Sequence, residues 1–377
     1  MAERSGPSRI LPCILVGLGA FLLAVAILIP SYTVGRLEKT PLDLEVTTIA
    51  DGNGSVLNAA SLAAGKAQVD TNVPIVAQRY VTTQDPSNAD VITVQAGQTV
   101  RRTDKQGDTG LLTATVDKVT LDRVSSLPTN DPAGTLQISS DQPATEVPRD
   151  GLQYKFPFNT EKKSYPYFDL NARATQPIDF VEETEINGLK VYHFSQTLEP
   201  VDLSKVVDLP TNKLSLPADT WGVPGGATPI TMTRWYTNVR DLWVEPKTGV
   251  VVKGQEALHQ YYGRNKNSVD VEVLKVTLPF DEATIEYQVK QARDGMDKLS
   301  TFGRTVPIIA GVVGVIALLA GIFLGLRSGR GNPPPAAARN TSSTPPPGRG
   351  NAAPAAGAHD WTADDTAVIP RPDLRKD

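Results

Sequence analysis

Two blocks of unbroken apolar sequence bracket a long alternating middle. The first runs from Ile10 to Ile29 without a charged residue, and its only breaker, Pro12, lies in the first turn, where a missing N–H costs little. The second runs from Val306 to Leu326, again without a charge. Each is close to the ~20 residues that a helix needs to cross a bilayer core. Gly311, Gly314, Gly321 and Gly325 punctuate the second block, and Gly321 and Gly325 have the GxxxG spacing that lets two membrane helices approach. A cleaved signal peptide is the alternative for the first block, because Arg4 and Arg9 precede it and Ala24-Val25-Ala26 resembles a cleavage site. The apolar run continues through Ile27, Leu28 and Ile29, so the expectation is an uncut anchor.

Between the blocks the period is two. Leu42, Leu44 and Val46 alternate with polar residues, as do Ile92, Val94 and Ala96. Leu112, Ala114 and Val116 alternate with Thr113, Thr115 and Asp117. Val269, Val271 and Val273 are followed by Leu274, Val276 and Leu278 in the opposite parity, which predicts a bulge or bend. These are half-buried antiparallel strands. Asp241 to Val244, then Pro246-Lys247-Thr248-Gly249, then Val250 to Lys253 read as a hairpin. Asp51-Gly52-Asn53-Gly54 reads as a turn, with Asn53-Gly54-Ser55 a chance glycosylation triplet. Leu209 to Pro229, rich in Pro and Gly, reads as a long surface loop. One helix is expected near the end of this region. Ile285, Val289, Ala292, Met296 and Leu299 recur at helical spacing behind Asp281 as N-cap. It is either a stalk or lid beside the membrane or an ordinary amphipathic helix packed on the sheet.

The expected organisation is an N-tail of residues 1–9, a span at 10–30, a β-rich domain at 31–305, a span at 306–326 and a tail at 327–377. Arg327, Arg330, Arg339 and Arg349 follow the second span, with no acidic residue before Asp360. The positive-inside rule then puts both tails in the cytoplasm of a two-pass protein of the cell (inner) membrane. Roughly 270 residues are left on the outer side, enough for a sizeable core. The tail, dominated by Ala, Pro, Gly and Ser, cannot offset its ordering entropy and is expected to be disordered, with Trp361 a candidate docking point for a cytoplasmic partner.

The chain has 377 residues, 40% hydrophobic and 21% charged, with a net charge of -4, and this balance offers no basic surplus for nucleic acid. Its one cysteine, Cys13, falls inside the first block, so the outer domain must hold without disulfides. An exported domain of that kind points to a bacterium. His193, His259 and His359 do not have zinc-ligand spacing, and His193 reads as a strand residue with a structural role. No nucleophile elbow, phosphate loop or dinucleotide fingerprint is present. Glu182, Glu183 and Glu185 read as a solvated cluster rather than a catalytic pair. The expectation is therefore a protein that is not an enzyme and takes no cofactor or metal.

Ile186-Asn187-Gly188-Leu189-Lys190-Val191-Tyr192-His193-Phe194, after Phe180-Val181-Glu182, resembles a segment of class B scavenger receptors and lysosomal integral membrane proteins. Asp241 to Gly249 is a second similar stretch, and the helix, β domain, helix plan is shared. As a whole the chain more closely resembles actinobacterial two-span proteins of the domain-of-unknown-function family that carries the name PorA. It departs from the animal receptors in lacking disulfides and in its shorter ectodomain. The resemblance implies a mainly β fold: a large antiparallel, β-barrel-like ectodomain with few helices, flanked by two transmembrane α-helices. It also implies an apolar tunnel leading towards the membrane, which would remove an acyl chain from water at about 0.8 kcal/mol per CH₂. The leading functional expectation is a cell-envelope protein that binds or transfers lipid. A channel of porin type and a membrane-anchored scaffold for envelope assembly are the alternatives. Leu112, Ala114 and Val116 are the candidate tunnel lining. The expected partners are membrane lipids, envelope proteins at the ectodomain and a cytoplasmic partner at the tail.

Overall fold

A computed structural model describes residues 10–328. The expected N-tail with Arg4 and Arg9 lies outside the described residues, as do Arg330, Arg339, Arg349, His359 and Trp361 of the tail.

Thirteen strands form one antiparallel sheet. They are β1 (Glu45–Leu57), β2 (Val69–Gln84), β3 (Val91–Arg102), β4 (Leu111–Asp122), β5 (Thr135–Gln137), β6 (Thr145–Glu146) and β7 (Tyr165–Asp169). Then follow β8 (Ala174–Ile186), β9 (Leu189–Asp202), β10 (Lys213–Pro217), β11 (Pro229–Val244), β12 (Val251–Gly263) and β13 (Val271–Pro279). The helices are α1 (Ile10–Leu37), α2 (Ala59–Ala63), α3 (Ala218–Trp221), α4 (Glu282–Ser300) and α5 (Val306–Ser328). The strand order is β6-β5-β4-β3-β2-β1-β13-β12-β11-β9-β8-β7, with β10 paired to β11. The first and last long strands thus meet in the middle of the sheet, and the two ends of the path curl together. Phe168 of β7, Leu136 of β5 and Val147 beyond β6 share one buried cluster. Leu152 bridges to Tyr167, and the Phe168 N–H donates to the Leu152 carbonyl at 2.8 Å. This mainly β, barrel-like fold flanked by two apolar helices is the expected one.

The interior is filled at one end and hollow at the other. Val56, Val73, Ile75, Tyr236, Leu274 and Val276 pack together in the filled half. The bulge expected near Val273 is present: Gln260 pairs with Leu274 and Tyr261 with Glu272, which leaves Val273 unpaired. The hairpin at β11–β12 forms as read, and Asn187 and Gly188 take positive φ in the β8–β9 turn. On α4, Asp281 caps the helix by accepting from the Thr284 N–H at 2.8 Å, and Ile285, Val289 and Ala292 bury against Leu189, Val191 and Val252.

Three local readings are corrected. Asp51-Gly52-Asn53-Gly54 is the middle of β1 and not a turn. Its glycines are there because β13 passes too close for a side chain: a Cβ on Gly52 would lie 2.2 Å from the Thr277 carbonyl oxygen. Residues 209–229 are not a loop. Leu214 and Leu216 alternate in β10, and Trp221 is buried with its indole N–H on the Ile230 carbonyl at 2.9 Å. The first helix does not end at residue 30 but runs through Pro30 to Leu37. The Ser31 hydroxyl donates back to the Ile27 and Leu28 carbonyls at 3.3 and 3.1 Å, which eases the turn that Pro30 disrupts.

α1 and α5 pack side by side in opposite directions. Gly19 meets Gly314 and Leu318, and Gly321 meets Val16, at distances that leave no room for a Cβ on either glycine. Gly325, the other half of the GxxxG pair, lies near Pro12. Ile14, Phe21, Ile27, Ile309, Ile316 and Phe323 remain exposed on the pair, and both helices are long and apolar enough to cross a membrane. Such a surface is costly in water and neutral in lipid. α4 continues into α5 through one turn of π-helix at Thr301–Thr305.

Candidate functional site

The hollow half of the barrel is a cavity of about 680 Å³. One wall is apolar. Val81 of β2, Ile92 and Val94 of β3 and Leu121 of β4 all point inward and belong to one buried cluster. Ala50, Leu258 and Leu278 line it where the filled half of the core begins. Leu242 and Phe280 add apolar surface from β11 and the end of β13. The mouth is built differently. It takes Arg36 and Leu37 from the end of α1, and Gln291, Gly295, Lys298 and Leu299 from the last turns of α4. These are the residues that leave the first apolar helix and lead into the second. The helix at 282–300 is the amphipathic helix packed on the sheet through its first half, and its second half edges the opening.

Buried ions fix the walls. The Arg240 guanidinium donates to Asp169 at 2.9 Å, to Glu256 at 3.1 Å and to the Gln196 amide oxygen at 2.7 Å, and the Tyr236 hydroxyl donates to Asp169 at 3.1 Å. Burial pushes the Glu256 carboxyl up, but the Arg240 and Arg79 guanidiniums outweigh it and hold the group below the usual carboxylate range. Burial would push Arg240 down, and Glu256 and Asp169 reverse this, so the guanidinium stays charged. A second cluster lies on the other wall. Asp117 of β4 takes both Nη atoms of Arg149, the Gln153 amide and the Tyr154 hydroxyl. Burial, and then Asp117, push the Tyr154 hydroxyl well above its ordinary range.

Lys155 is a further cation on the lining. The Lys155 ammonium donates to the Phe156 carbonyl at 2.9 Å and lies 3.8 Å from the centre of the Phe158 ring. It has no carboxylate within ion-pair distance among the described residues. Burial pushes it down to about 7, with Glu245 opposing weakly.

The candidate lining Leu112, Ala114 and Val116 is elsewhere. Ala114 pairs with Thr99 and Val116 with Gly97, and both are exposed on the outer face. Leu112 sits at a bulge and packs beside the filled core. None of the three borders the cavity. The physical reason is Asp117: it points inward to Arg149, and this sets the opposite parity for the even-numbered residues before it. Replacing Ala114 with Trp is accordingly expected to leave the cavity unchanged and shift stability by less than about 0.5 kcal/mol, measured by thermal unfolding.

Sequence reasoning missed Lys155, Arg240 and Glu256. The run Tyr154-Lys155-Phe156-Pro157-Phe158, a lone cation among aromatics, is the one local signal that could have drawn attention. His193 has the structural role read from its strand: it bonds Asp241 at 2.9 Å and stacks on Trp243. Glu183 meets Lys162 and Lys190 at the surface, as a solvated cluster does. No group of metal-ligating side chains is found among the described residues.

A hollow antiparallel β domain joined to two long apolar helices, with its cavity opening beside the segments that lead from them, is the fold of a protein class compatible with a membrane. A family model described as Porin PorA matches residues 11–323, and the chain belongs to that family. A relative named Porin PorA from Corynebacterium resistens is 32% identical over 403 residues, covering 85% of this chain and 98% of the relative. Another of that name, from Corynebacterium amycolatum, is 29% identical over 378 residues, covering 83% and 98%. As a member of this family the chain is not an enzyme. These matches support the PorA part of the resemblance and, among the functional expectations, favour the porin-type alternative over lipid transfer.

Proposed function

We propose that this protein spans the cell membrane twice, with its β domain on the outer side, and that the domain takes the acyl part of a membrane amphiphile into its cavity. The observation that carries this reading is the mouth. Its rim comes from the end of α1 and from the last turns of α4, which lead into α5, so a chain could pass from lipid to cavity along Leu37 and Leu299 with little exposure to water. Each CH₂ so sheltered contributes about 0.8 kcal/mol. The full chain, purified in detergent, is expected to retain lipid detectable by mass spectrometry. Val94→Trp, which fills the cavity from its apolar wall, should lose that lipid while keeping a β-type circular dichroism spectrum. Failure of the native chain to retain lipid or to bind acyl chains at any concentration below their solubility limit would sink the proposal.

The name carried by the relatives favours a second reading, a channel. Here the sheet would not be the wall, because exposed Thr47 and Arg101 on its outer face are polar, unlike the apolar belt of a membrane barrel. The apolar runs of α1 and α5 hold no ionisable residue to line a pore, so several copies would have to assemble around a path. Conductance of planar bilayers holding the pure chain, with no retained lipid, would decide for this reading.

A further inference from the structure

The cavity lining is not neutral. Cations outnumber carboxylates on it, and the surplus is not absorbed by ion pairs. Arg240 is matched by Asp169 and Glu256, and Lys39 by Asp90 at 3.0 Å. Arg123 spends its guanidinium on the Thr40, Asn88 and Ala89 carbonyls. Among the described residues, Arg79 hydrogen-bonds only the neutral Gln98 amide and Lys155 only a carbonyl, although an unpaired ammonium in such a place is costly.

Lys155 is also close to the mouth. Its segment is tied to the linker after α1 by the Asn159 amide, which donates to Glu38 at 3.0 Å. The Ser126 hydroxyl shares the Phe156 carbonyl with the Lys155 ammonium, at 3.2 Å, and Ser126 is buried with φ of 60°. That leaves an ammonium and a hydroxyl together beside the opening, with the apolar wall of Ile92, Val94 and Leu121 further in.

Resting on the amphiphile reading above, we infer that the cavity selects an amphiphile with an anionic head, a carboxylate or phosphate, which is held by Lys155 beside the mouth while the tail lies along the apolar wall. The head would supply the partner that the protein withholds from Lys155. The other charged groups of the lining near this opening are Asp122 and Arg123 at the end of β4, Arg36, Lys39, Asp43 and Glu45 before and at the start of β1, and Asp294 and Lys298 on α4; Glu245 in the β11–β12 turn acts on Lys155 from outside the lining. Glu245 is already engaged: its carboxylate accepts from the Lys247 and Thr248 N–H groups and the Thr248 hydroxyl.

The test uses the full chain in nanodiscs of phosphatidylcholine. A photoreactive fatty acid and the fatty alcohol of the same chain are crosslinked in parallel, and the adduct on the protein is weighed. The acid is expected to label about tenfold better than the alcohol, the ratio that one charged contact of about 1.4 kcal/mol supplies. Lys155→Met should bring the acid down to the alcohol and leave the alcohol unchanged, and Lys155→Arg should keep the preference. Inorganic phosphate should not displace the acid. Equal labelling by acid and alcohol in the native chain, or a preference that survives Lys155→Met, overturns the inference while leaving the amphiphile reading intact. Tight displacement by phosphate would show a site for a free anion and overturn it too. Labelling by neither probe would overturn the amphiphile reading itself.

Discussion

Arg149→Leu is expected to destabilise the fold by about 3–5 kcal/mol, the usual cost of removing one partner from a buried ion pair. Both side chains of the Arg149–Asp117 pair are 1% exposed, and Nη2 lies 2.7 Å from Oδ1. Without the guanidinium the Asp117 carboxylate keeps only the Gln153 amide and the Tyr154 hydroxyl, in a wall that water does not reach. The damage should be structural as well as energetic, because Arg149 lies beyond β6 and Asp117 on β4, so the pair pins one end of the sheet. Denaturant unfolding of the full chain in micelles, followed by circular dichroism, measures the loss. The double variant Asp117→Leu, Arg149→Leu should recover most of it, since it leaves no orphan charge. A loss below about 1 kcal/mol for the single change would contradict the burial described here.

The second large effect is expected at the seam between β1 and β13. Gly52→Val should cost about 3 kcal/mol, the upper end for overpacking. The obstacle is the Thr277 carbonyl oxygen, and backbone cannot swing aside as a side-chain tip can. Gly54 is under the same constraint, with the Lys275 carbonyl oxygen 2.4 Å from its Cβ position. Relief would require β1 to part from β13, which opens the barrel at the centre of the sheet. Gly97→Ala on β3 is the control. A Cβ there meets nothing within 4 Å, and the change should be nearly silent in the same unfolding assay. Equal midpoints for Gly52→Val and the native chain would show that the seam is looser than this geometry implies.

The sequence by itself determined the features whose physics is local. Apolar length placed the two long apolar helices, and period-two burial placed most strands. The parity switch at Val273 located a bulge, and Asp281 with its following stripe located α4. Each depends on residues within a few positions of one another. Tertiary structure alone decided what depends on distant partners. Asp117 is charged, so alternation assigns it to solvent; Arg149, 32 residues on, neutralises it inside and reverses the face of β4. Asp-Gly-Asn-Gly has turn chemistry, yet β13 claims it as strand because only glycines let the two backbones approach so closely. The span read from sequence stops at residue 30, but the helix continues through Pro30 to Leu37, with Ser31 bonding back to carbonyls of the preceding turn. The cavity itself was not legible in the strand pattern. A strand shows its apolar face equally whether that face meets a packed core or empty space, and which of the two it meets is settled by side chains more than a hundred residues away.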